Sequence, residues 1–93
     1  MSYYTRMTAT IVYGTVNSRQ IRTWGAVLEQ RFNIVDMIPN GFVIQHAYND
    51  REDSRESCKA ALVNFWEQHG GVVIIGWEHE HEGGIILTEF LSG

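Results

Sequence analysis

Ninety-three residues suffice for one domain with its own core, near the size below which disulfides or metals usually have to help. Seven basic and eleven acidic side chains leave a formal charge of −4, which argues against a nucleic-acid binder, whose footprint is usually a basic face. The single cysteine, Cys58, excludes an intramolecular disulfide, the polar and aromatic start lacks the order of a secretory leader, and no apolar run approaches the roughly 20 residues of a membrane span, so a cytoplasmic protein is expected.

Residues 3–13 are rich in β-branched and aromatic types and meet no breaker before Gly14, which predicts a strand. Tyr3, Thr5, Met7, Ala9, Ile11 and Tyr13 form its more apolar face and should point to the core; Tyr4, Arg6, Thr8, Thr10 and Val12 take the other. Asn17 is placed to cap a helix, with Gln20 completing a capping box. Ile21, Trp24, Leu28 and Phe32 then give an apolar stripe, predicting a helix from about 18 to about 32. Gly25 on that stripe disfavours a helix by on the order of 1 kcal/mol, so a close approach to the sheet is expected there.

A short strand, Ile34 to Ile38, a Pro39-Asn40-Gly41 turn and a partner strand from Phe42 to Tyr48 make a hairpin, with Asn-Gly expected to supply positive-φ positions. After a polar connection, Asp53 or Ser54 caps a second helix. Its inward stripe is Cys58, Ala61, Leu62, Phe65 and His69, and Gly70-Gly71 ends it. The last elements are the apolar run Val72 to Trp77, an alternating Glu78-His79-Glu80-His81-Glu82, a Gly83-Gly84 turn and a returning strand, Ile85 to Phe90. Alternation puts Trp77, His79 and His81 on one face and Glu78, Glu80 and Glu82 on the other.

The order β-α-β-β-α-β-β predicts an α+β two-layer sandwich: a ferredoxin-like β-α-β-β-α-β unit with two helices on one face of an antiparallel sheet, extended by a C-terminal strand. The opposite sheet face would then be uncovered, and such faces attract dimers and ligands.

The opening Met1-Ser2-Tyr3-Tyr4-Thr5-Arg6 resembles that of short, uncharacterised proteins of actinobacteria and their phages, which begin Met-(Gly/Ser)-Tyr-Tyr-Thr-Arg and continue into a strand. Residues 71–90 share a looser pattern with them: a β-run, glycine, acidic residues and a second strand. The resemblance covers a small part of the chain and carries no catalytic motif. It implies a phage-encoded accessory protein acting on a host protein or a host-derived small molecule.

Two groups of side chains carry candidate chemistry. His79 and His81, at i and i+2 on a strand, point the same way and suit a divalent metal if His46, His69 or a carboxylate adds a third ligand; the plainer reading is a solubilising hairpin tip. Tyr3, Tyr4, Arg6 and Trp77, with His79 on the same hairpin as Trp77, are candidates for a platform that stacks a nucleobase; the plainer reading is a face packed on a helix or a second subunit. Cys58 on an inward helical stripe reads as a small hydrophobe, and no nucleophile motif or phosphate loop occurs.

The expectation is a non-enzymatic binding module without a cofactor. It would be a homo-oligomer, a dimer by preference, whose open sheet face or C-terminal hairpin engages a host protein or a small anionic, nucleotide-like ligand. Two alternatives stay open: a metal-binding domain or metal-dependent enzyme built on His79 and His81, and an acidic inhibitor of a nucleic-acid-binding protein.

Overall fold

Alternation in the first strand decides which side of the sheet becomes the interior. In the computed structural model, which describes residues 4–49, 55–79 and 84–92, β1 (Tyr4–Val12) buries Met7, Ala9 and Ile11 completely on one face. Thr8, Thr10 and Val12 on the other are only half-buried. β1 is the central strand, and every pairing is antiparallel. On one side lie β3 (Gly41–Asn49) and then β2 (Asn33–Ile38); on the other lie β4 (Val72–His79) and then β5 (Ile85–Leu91).

Two helices, α1 (Ser18–Leu28) and α2 (Arg55–His69), share one hydrophobic core with the buried face of the sheet. This core holds Ile21 and Leu28 of α1, Cys58, Leu62 and Phe65 of α2, and Phe42, Ile44, Val73, Ile75 and Trp77 of the strands. The fold is the expected ferredoxin-like sandwich, with β5 as the additional edge strand. Each large apolar side chain buried here contributes roughly 1.5–3 kcal/mol.

α1 begins as its sequence requires. The Asn17 side chain accepts a hydrogen bond from the Gln20 backbone N–H at 2.8 Å, and the Asn17 N–H donates to the Gln20 side chain at 3.0 Å. The helix stops earlier than the apolar stripe suggests. Backbone bonds from Gln30 to Val27 and from Arg31 to Leu28 tighten its end, and Phe32 enters the core from the following turn. Gly25 has the predicted packing reason: a Cβ there would stand 3.1 Å from the Phe42 ring.

The β2–β3 hairpin turns at Pro39-Asn40, but not by the expected mechanism. Among the described residues only Gly70, Gly71 and Gly84 have positive φ, so neither Asn40 nor Gly41 uses it. Gly41 is needed instead because a Cβ would collide with the Ile11 carbonyl oxygen on β1. The Tyr13 N–H donates to the Asn40 carbonyl at 2.8 Å, and the Asn40 side-chain amide donates to the Tyr13 carbonyl at 2.9 Å. A register shift between Ile34 and Asp36 puts a bulge at Val35, which the periodicity of β2 did not announce.

α2 ends where Gly70 and Gly71 take positive φ, and Trp66 pins the exit by donating its indole N–H to the Gly71 carbonyl at 3.0 Å. The expected caps, Asp53 and Ser54, lie outside the described residues. β5 is held by more than its ladder. The Glu89 carboxylate accepts from the Trp77 indole N–H at 3.0 Å and from the Lys59 ammonium at 3.1 Å, tying β5 to β4 and α2.

Candidate functional site

The sheet face away from the helices follows from the register. Ile74 pairs with Thr10 on one side and with Phe90 on the other; Val72 pairs with Val12, and Glu78 with Arg6 and Ile85. These side chains lie opposite to the Met7, Ala9 and Ile11 row, and among the described residues no layer covers them. Phe90 is 66% exposed, Ile85 60%, Val72 43% and Ile74 40%. Ile85 folds over Gly76, where a Cβ would come within 2.9 Å of its Cδ1. The outcome is a run of exposed aliphatic and aromatic side chains on β4 and β5. The polar residues Asn33, Asp36 and Gln45 occupy the other end of the same face, on β2 and β3.

Two members of the predicted stacking platform, Arg6 and Trp77, stand on opposite faces of the sheet. Trp77 pairs with Met7, so it stands on the helix-covered face, 1% exposed, with its indole nitrogen committed to Glu89. Arg6 is on the opposite face, exposed, with its guanidinium 3.8 Å from the Glu78 carboxylate. That ion pair is solvated and contributes little, on the order of 0–1 kcal/mol. Tyr3 lies outside the described residues, and for Tyr4 only the backbone is described. The physical reason is the strand period: Arg6 and Met7 are neighbours in sequence and therefore on opposite sides. For Trp77 the plainer reading, a ring packed beneath the helices, is the one realised.

The described part of the metal proposal is scattered. His79 is half-buried at the Thr5 end of β4, and His81 lies outside the described residues. His69 sits before the other end of β4, which places it roughly 20–25 Å away at strand rise. His46 is on β3, across β1 from His79, with its ring edge-on to Phe32 at 5.6 Å. Among the described residues no group of three or more His, Cys, Asp or Glu could hold a metal ion.

Three titratable groups on the helix side are perturbed. Tyr13 is buried, its hydroxyl has no hydrogen-bond partner among the described residues, and burial pushes its pKa up to about 12. The His69 imidazole lies between the rings of Trp24 at 4.8 Å and Phe65 at 4.6 Å, and burial lowers its pKa. Burial alone would raise Glu89, but hydrogen bonds from Lys59 and Trp77 and the charges of Lys59 and Arg55 outweigh it and hold the carboxyl below its ordinary value. A shallow depression of about 490 Å³ lined by Trp66, Glu67, Gly70 and Gly71 lies beside the His69 end of α2. A groove between the helices, flanked by Val27, Gln30, Asn64 and Gln68, holds about 160 Å³, below the roughly 300 Å³ at which ligand pockets begin. Cys58 is fully buried in the core.

The residues that stand out, Val72, Ile74, Ile85 and Phe90, are not those singled out in the sequence as a binding set. The signal was present in Thr8 and Thr10, whose polarity marks the uncovered face, combined with the pairing of β1 to β4. No helix among the described residues is long and apolar enough to cross a membrane. The chain matches no protein-family model, no curated protein sequence and no solved structure.

Proposed function

We propose that this chain is a non-enzymatic binding module whose uncovered sheet face is a contact surface for another polypeptide. One observation carries the reading: Val72, Ile74 and Phe90, with Ile85 folded over Gly76 beyond them, are exposed on paired strands, and the one charge described on this part of the face is Glu78, opposite Ile85. Small soluble domains rarely leave contiguous apolar surface of this kind uncovered, and large patches mark interfaces. Interface centres are likewise depleted in charge and enriched in aromatic residues. A small anionic ligand is the weaker choice, because the one described cation on this face, Arg6, lies beside Glu78. An accessory role on a host protein is what the N-terminal resemblance supports.

Site-specific photocrosslinking tests the reading. A benzoylphenylalanine probe replacing Phe90 should give a discrete adduct, with a second copy or with another polypeptide, that Ile74→Lys removes. The same probe replacing Gln30, on the helix side, should give none. No adduct from position 90, or equal adducts from both positions, would overturn it.

A further inference from the structure

We infer that the body seated on the open face is a second copy of this chain, packed face to face about a two-fold axis that runs across the strands. This rests on reading that face as a protein contact surface and adds the identity and geometry of the occupant.

The first argument is sidedness. The well-exposed large apolar side chains of this face gather on β4 and β5, whereas the β2–β3 side mixes exposed Asn33 and Asp36 and half-buried Gln45 with Ala47 and half-buried Ile38 and Val43. A two-fold axis parallel to the strands would lay β5 over β2 of the second copy and set Phe90 against Asp36. An axis across the strands lays β5 over β5, so that the exposed Phe90 and Ile85 strands meet each other and Phe90 is kept from Asp36. It also carries the Arg6–Glu78 end of each protomer to the Val12–Val72 end of the other, which keeps like charges apart.

The second argument is size. Five strands spaced about 4.8 Å apart, each about 20–30 Å long, make a face of roughly 500 Å² in projection, and side-chain relief brings it toward the roughly 800 Å² per partner of a standard interface. A second twisted sheet with the same curvature is a body that can cover such a face, as paired sheets do in sandwiches. The third is charge. The molecule carries a formal −4, yet among the described residues the β4–β5 half of the face carries one charge, Glu78 beside Arg6 at its end, so approach is opposed mainly by diffuse repulsion that salt removes.

Sedimentation velocity on the purified chain at micromolar concentration tests the pairing. The expected result is twice the protomer mass, with association strengthened by added salt. Phe90→Lys and Ile85→Lys, both at well-exposed positions, should each weaken association at least about tenfold while far-UV circular dichroism stays unchanged. Lys at Met37, exposed on the β2 edge, should leave it unaltered. Because Cys58 is buried, a short bis-maleimide can report on an introduced thiol alone: Thr88→Cys should join to itself, and Asp36→Cys should not. A monomer at every concentration, a dimer indifferent to both lysines, or Thr88→Cys joining to Asp36→Cys in place of itself would each overturn the pairing. A monomer that still forms the Phe90 photo-adduct with a different polypeptide sinks this inference and leaves the binding role standing.

Discussion

Tyr13 shows at the scale of one residue how the core settles its accounts. Its ring packs at 4.9 Å against Trp24 and shields Gly71, but its hydroxyl reaches no partner among the described residues. An unsatisfied buried hydroxyl costs about 1–3 kcal/mol, whereas the ring's packing is independent of it. Tyr13→Phe should therefore be neutral or stabilise the fold by about 1 kcal/mol, read as a higher urea midpoint at unchanged slope. A clear loss of stability would mean that the hydroxyl has a partner. Sequence alternation did place Tyr13 inward, but no spacing reveals whether a buried hydroxyl is satisfied, since that depends on atoms brought close only by folding.

At the scale of an element, β5 depends on one carboxylate. It is an edge strand paired only with β4, and Glu89 adds the bonds to Trp77 and Lys59. The folded-state pKa of Glu89 is depressed below 4.5, so its contribution is present above that pH and fades as the pH falls through the folded value. Glu89→Gln should accelerate amide hydrogen exchange along β5 at neutral pH, while amides of β1 and β3 change little. The native chain should approach the variant as the pH drops below 4.5. Equal exchange in both proteins at neutral pH would show that the ladder alone holds the strand. The elements themselves were legible in the sequence because each rests on local chemistry: the Asn17–Gln20 box, the Ile21-Trp24-Leu28 stripe, the paired glycines after His69. The Val35 bulge, the close approach at Gly41 and the Trp77–Glu89 bond were not, because each is fixed by a neighbouring strand.

For the whole molecule, the consequence is a two-layer body with its core on one side of the sheet and uncovered aliphatic and aromatic side chains on the other. The architecture was readable from element order and alternation. The site was readable only in part: an open face was expected, but Trp77 was grouped with Tyr3, Tyr4 and Arg6 as a binding platform, and its burial with Val73 and Ile75 under the helices sets it on the other side of the sheet from Arg6. The nearly continuous apolar run from Val72 to Trp77 hides its own sidedness, which appears only once Met7 is set opposite Trp77 and Thr10 opposite Ile74.

Hydroxyl-radical footprinting of the protein diluted below its self-association range tests this sidedness most directly, because three tryptophans give an internal comparison free of differences in intrinsic reactivity. The account predicts slow oxidation of Trp77, faster oxidation of the partly exposed Trp24 and Trp66, and ready oxidation of Phe90. Trp77 reacting as fast as Trp66 while Phe90 stays protected would place the core on the wrong side of the sheet and contradict it.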